Sequence, residues 1–137
     1  MLDTPYLLRG FAAMVTMVRL DGCDHIGHGT RVFGRPLVKN DGRIEIGDAV
    51  TIHANASPVR LTTTDAGTII VGSRVTIEPG VAITSDAEVR IEEDVTIGPN
   101  VTICDRDERG VSRAIVIERG ARIGANARLE ADRKSVV

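Results

Sequence analysis

Apolar residues along this chain come in pairs two positions apart, and the pairs recur every six positions. Ile44/Ile46, Val50/Ile52, Val75/Ile77, Val81/Ile83, Val89/Ile91, Val95/Ile97, Val101/Ile103 and Ile115/Ile117 are the clearest. Side chains alternate along a strand, so each pair points one way and reads as one short strand facing a narrow interior. Longer copies of the unit stand at 46–51 (IGDAVT), 71–76 (VGSRVT), 97–102 (IGPNVT) and 123–128 (IGANAR). An internal repeat of this kind decides the fold before local propensity does.

The hexads stack into coils. Taking Ile26, Ile46, Val71, Ile91 and Ile117 as coil starts, the intervals are 20, 25, 20 and 26 residues, which exceed three hexads by 2, 7, 2 and 8. The spacing predicts two loops, near 62–68 and 105–114, within a β-helix over about 24–130. Between strands the chain must turn. Three places after the aliphatic residue stand Gly29, Asn55, Gly80, Asp94, Asn100, Gly120 and Asn126, the types that accept positive φ at least cost, with Ala49 and Arg74 as exceptions. A sandwich of alternating strands would need longer strands and turn signals every ~8–12 residues. The fold class expected is an all-β parallel solenoid of about five coils.

The N-terminus has a different period. After Asp3-Thr4-Pro5, a helix-start signature, Leu7, Leu8, Phe11, Met14, Val15 and Val18 recur at helical spacing. One amphipathic helix over about 3–20 is expected to cap the open first coil. Its acidic start and the interruption at Arg9 argue against a signal peptide, and no run of ~20 apolar residues spans a membrane.

Composition narrows the function. With 137 residues, 42% apolar content and a net charge of −2, the chain is expected to be one domain (1–137), with no electrostatic case for nucleic acid or membrane. Large rings do not fit a narrow coil, consistent with two Phe, one Tyr and no Trp. Cys23 and Cys104 lie three coils apart, so two free thiols and a reducing, cytoplasmic setting are expected.

These runs resemble the hexapeptide-repeat acyltransferases, whose fold is a left-handed parallel β-helix. The stretch Gly34–Asn126, with Gly34-Arg35-Pro36, Arg43-Ile44-Glu45-Ile46-Gly47-Asp48, Ser57-Pro58-Val59-Arg60-Leu61 and Asp105-Arg106-Asp107, looks like the branch that O-acetylates sugars and polysaccharides. The resemblance implies left-handed coils, a homotrimer with sites between subunits, and acetyl-CoA or another acyl-CoA as substrate; no metal is expected, given the positions of the histidines. It also places the acyl-CoA along Gly98, Gly124, Ala125 and Asn126, with Arg113 or Arg122 near the phosphates. Resembling proteins continue for at least one more coil, whereas this chain passes from Leu129 into Glu130–Lys134.

Acyl transfer to a hydroxyl needs a base beside that hydroxyl and donors for the oxyanion. The resemblance places a His in the long inter-coil loop, after two Asp residues; here Asp105, Asp107 and Arg109 occupy that context. A guanidinium stays protonated at neutral pH and is no ordinary base. His53 and Glu78 offer another arrangement. They occupy one column on adjacent coils, about 4.8 Å apart by strand spacing, with Gly98 and Gly124 continuing it as a flat strip. The same pair also reads as an exposed ion pair of small value. His25 and His28 flank Ile26 far from His53, which argues against a three-His zinc site. Cys104 has no neighbour in sequence that would activate it. Two functions remain open: an acyl-CoA-dependent O-acyltransferase acting on a saccharide or related hydroxyl, impaired where Arg109 replaces His, and a non-catalytic scaffold or partner of an active homologue.

Overall fold

The computed structural model describes residues 20–131. Each coil holds three short strands. The first coil contains β1 (His25–Ile26), β2 (Arg31–Gly34) and β3 (Leu37–Asn40), and the second β4 (Arg43–Ile46), β5 (Thr51–Ala54) and β6 (Arg60–Thr63). The third contains β7 (Thr68–Val71), β8 (Thr76–Ile77) and β9 (Ala82–Ser85). The fourth contains β10 (Val89–Ile91), β11 (Thr96–Ile97) and β12 (Thr102–Cys104), and the fifth β13 (Ile115–Ile117), β14 (Arg122–Ile123) and β15 (Arg128–Glu130). Each strand of the first four coils pairs in parallel with the strand three further on, giving three five-stranded sheets around one aliphatic core. The described residues therefore form an all-β parallel solenoid of five coils. The capping helix expected over about 3–20 falls, Leu20 apart, outside the described residues, as does most of Glu130–Lys134.

Register explains why the hexad aliphatics face the core, fully buried in the inner coils and partly so at the ends, as at Ile26, Val38 and Leu129. Ile46, Val71, Ile91 and Ile117 align in the first sheet, Ile52, Ile77, Ile97 and Ile123 in the second, and Leu61, Ile83, Ile103 and Leu129 in the third. In the third coil the steps Val71 to Ile77 to Ile83 to Ile91 are 6, 6 and 8 residues, so the plain coil is 20. In the second coil Ile46 to Ile52 to Leu61 to Val71 gives 6, 9 and 10. The surplus expected near 62–68 is thus divided: three residues enter before β6, around Asn55–Pro58, and two enter between β6 and β7. The 105–114 loop sits where expected, between β12 and β13.

The longer step at the third-to-first corner has a polar cause. Two places after each third-sheet aliphatic stand Asn40, Thr63, Ser85 and Asp105, one above the other. Thr63 Oγ1 donates to Asn40 Oδ1 at 2.6 Å, and the Gly42 N–H donates to Thr63 Oγ1 at 3.0 Å. Asn40 Nδ2 donates in turn to Asp24, whose carboxylate also accepts the Ile44 N–H at 2.8 Å. These two donors, Ile44 first, hold the Asp24 carboxyl below its ordinary range. The column satisfies backbone groups that the wider corner would otherwise leave unpaired.

The turn residues follow expectation at Gly29, Gly80, Asp94, Asn100, Gly120 and Asn126, all with positive φ. Asn55 does not, because it belongs to the three-residue insertion rather than to a plain corner. Ala49 and Arg74 adopt φ of 54° and 59° despite their side chains. Stacking imposes it: the Ala49 N–H donates to the His28 carbonyl and the Arg74 N–H to the Asp48 carbonyl, each at 2.8 Å. Arg74 is compensated by ion pairs to Asp94 and Glu93, but Ala49 is not. Relief of left-handed strain (~1–2 kcal/mol) outweighs the added freedom of the unfolded chain (~0.4–1 kcal/mol). Ala49→Gly is therefore expected to stabilise by up to about 1 kcal/mol in urea unfolding, and a loss of stability would contradict this origin of the strain.

Candidate functional site

His53 lies on β5 and points outward from the second sheet. Its register partner on the preceding coil is Phe33, and the two rings stack with centroids 5.2 Å apart and planes inclined by 8°. This aromatic neighbour was not foreseen, although the 20-residue interval between them carries the signal. Glu78 follows β8 and so occupies the next place in the column; its N–H donates to the Ile97 carbonyl at 3.0 Å. No hydrogen bond or ion pair joins His53 to Glu78. The imidazole is thus held by a ring on one side rather than by a carboxylate on the other.

The column continues to Gly98 and Gly124. The Gly98 N–H donates to the Ile123 carbonyl at 2.8 Å, and a Cβ at Gly98 would meet that oxygen at 2.8 Å and the Ala125 nitrogen at 2.9 Å. Close coil stacking therefore requires Gly98 in its own right. Gly124 has open space around it. Ala125 and Asn126 form the next corner, exposed, with the Asn126 N–H on the Pro99 carbonyl at 2.9 Å. Of the four residues assigned to acyl-CoA by resemblance, half-buried Gly98 and exposed Gly124 thus continue the column of His53 and Glu78, and Ala125 and Asn126 sit at the exposed corner beside it.

Asp105, Asp107 and Arg109 are elsewhere, at the third-to-first corner of the fourth coil. Asp105 is fully buried. Its carboxylate accepts the Asp86 N–H at 2.7 Å, the Ala87 N–H at 2.8 Å and the Ser85 hydroxyl at 2.8 Å, completing the polar column described above. Asp107 closes the loop on itself: Oδ1 accepts the N–H groups of Arg109 at 2.8 Å and Val111 at 2.9 Å, while Arg106 and Ser112 form a bridge. Arg109 is exposed. One chain therefore does not bring Asp107 and Arg109 to His53 and Glu78.

Cys23 and Cys104 are free. Burial first, then Asp24 and Asp21, pushes the Cys23 thiol up to about 12, so it is not a thiolate at neutral pH. Among the described residues no group of three His, Cys, Asp or Glu side chains is placed to hold a metal ion, and no helix is long and apolar enough to cross a membrane. The architecture defines a class, the parallel β-solenoids. Searches against protein-family models, curated proteins and solved structures find no match to this chain.

Proposed function

We propose that the chain is a left-handed parallel β-helix of the hexapeptide-repeat acyltransferase type, a cytoplasmic homotrimer that moves an acyl group from acyl-CoA to a saccharide hydroxyl. One observation carries this reading: an imidazole fixed against Phe33 heads an outward strip that runs through Glu78 to the bare backbone of Gly98 and Gly124. His53 accepts the acceptor's hydroxyl proton as its oxygen attacks the thioester carbon; the C–O bond forms, the C–S bond breaks, and the imidazolium returns the proton to the departing thiolate. The pantetheine arm lies on the glycine strip. A strip this open encloses no substrate within one chain, and a second copy packed across it supplies the missing wall.

A second reading, a scaffold without catalysis, is favoured by the loop geometry: Asp107 is occupied by its own loop amides, that of Arg109 among them, and Arg109 is exposed. Calorimetry with acetyl-CoA, thiol release with saccharide acceptors and light scattering separate the two. The transferase reading expects a trimer that binds acetyl-CoA, with turnover lowered at least ~100-fold in His53→Ala. A wild type that does not bind acetyl-CoA sinks it. Turnover gained only in Arg109→His identifies a disabled enzyme.

A further inference from the structure

The net charge of −2 conceals an uneven distribution. The described part of the first two coils carries six acidic residues, Asp21, Asp24, Asp41, Glu45, Asp48 and Asp65, all on the first sheet or at the corners beside it. The other two sheets of these coils carry none. They carry Arg31, Arg35, Lys39 and Arg60, all exposed, and none of the four makes an ion pair. Elsewhere Arg43, Arg74, Arg90, Arg106 and Arg128 are each paired. Among the described residues Arg109, Arg113 and Arg122 are also without an ion pair, but they lie on the later coils. The densest group of unpaired cations, Arg31, Arg35, Lys39 and Arg60, sits at one corner.

That corner also holds two of the three large hydrophobic residues exposed among the described residues, Phe33 at 41% and Leu37 at 52%. Alternation places Arg31 and Phe33 outward on β2, and Leu37 and Lys39 outward on β3, with Arg35 between the strands and Arg60 in register with Leu37. The crest is rigid. Gly34 has φ of 81°, and a Cβ there would meet the Ala54 carbonyl at 2.3 Å, so the turn is pressed onto the coil beneath. The stack on His53 fixes the Phe33 ring.

We propose that this ridge docks the protein on an anionic lipid surface. The cations select the sign of the partner. The apolar pair selects its kind: a solvated phosphate chain gains nothing from Leu37, whereas a bilayer interface takes an apolar residue from each slope of a convex edge and places flanking Arg and Lys at the headgroups. Docking shares Phe33 with the His53 site but does not require turnover there. It also differs from the expectation drawn from net charge alone.

The test is co-sedimentation of the full chain with phosphatidylcholine–phosphatidylglycerol vesicles, and with phosphatidylcholine alone, at low and high salt. Binding is expected on the anionic vesicles only, weakening as salt rises. Arg35→Glu changes the ridge by two charges and is expected to lower partitioning roughly twenty-fivefold, at about fivefold per charge. Leu37→Ser is expected to lower it several-fold without altering the salt dependence. Both positions face solvent, and an unchanged unfolding midpoint confirms that the fold is retained. No wild-type binding to anionic vesicles overturns the proposal, as does binding indifferent to Arg35→Glu. Binding that inorganic polyphosphate displaces and Leu37→Ser leaves intact overturns it in favour of a soluble polyanion.

Discussion

Asp105→Ala is expected to cost about 4 kcal/mol of unfolding free energy, at about 2 kcal/mol for each of two amide bonds to a charged acceptor. The carboxylate is fully buried and accepts the N–H groups of Asp86 and Ala87 and the Ser85 hydroxyl. These partners respond differently to its removal. Ser85 Oγ also lies 2.9 Å from the Thr68 carbonyl, so its single proton can turn there. The two amides have no alternative and are left without an acceptor. Asp105→Asn should retain part of the stability, since its one carbonyl oxygen can serve one amide while its NH2 faces the other. Urea unfolding checks both; a loss below about 1 kcal/mol for the alanine variant would mean that this corner does not hold the fourth coil.

Gly67→Ala is the second large effect, expected at about 3 kcal/mol as an overpacking cost with no side chain able to yield. Gly67 is buried, and a Cβ there would lie 2.0 Å from the Ser85 carbonyl oxygen and 2.7 Å from its carbon. Both are backbone atoms committed to the coil ladder: the Ser85 oxygen accepts the Thr64 N–H at 3.1 Å. Relief requires the second and third coils to separate. Gly124→Ala supplies the contrast, since a Cβ there meets nothing within 4 Å. Thermal unfolding of the pair should show a large fall for the first and little change for the second. Equal shifts would mean that intrinsic glycine effects, not coil spacing, set the result.

These two residues also mark the boundary of what could be read in advance. The hexad announced the coils, their number and the aliphatic core, because an apolar residue at a fixed period has one place to go in a narrow interior. The same rule missed the three residues inserted before β6: Val59 and Leu61 keep the apolar alternation across the insertion, so the surplus was assigned to the next corner. By resemblance Asp105 belongs to the loop context of a catalytic histidine, yet its carboxylate is buried. Its burial follows from the column begun by Asn40, Thr63 and Ser85, which becomes visible only when the third-sheet aliphatics are aligned.

The candidate site was legible as a column and not as a set of contacts. Counting along the repeat placed His53, Glu78, Gly98 and Gly124 in line, and register agrees. Which neighbour the imidazole would choose depended on a coil before it, where Phe33 stands in register. Asp107 and Arg109 shared a loop in sequence with nothing to say which way that loop closes. The two amides on Asp107 Oδ1 close it on itself.

Strand partners throughout the solenoid stand 20 to 26 residues apart, for example Ile26 with Ile46 and Ile91 with Ile117. That interval does not grow with the number of coils, so the loop-closure entropy of adding a coil is the same at every stage. Folding of such a chain can begin at any adjacent pair and advance one coil at a time. The second and fourth coils, with their longer excursions, add only about 0.2 kcal/mol to that closure cost, so inserted loop residues burden the folding of the solenoid very little.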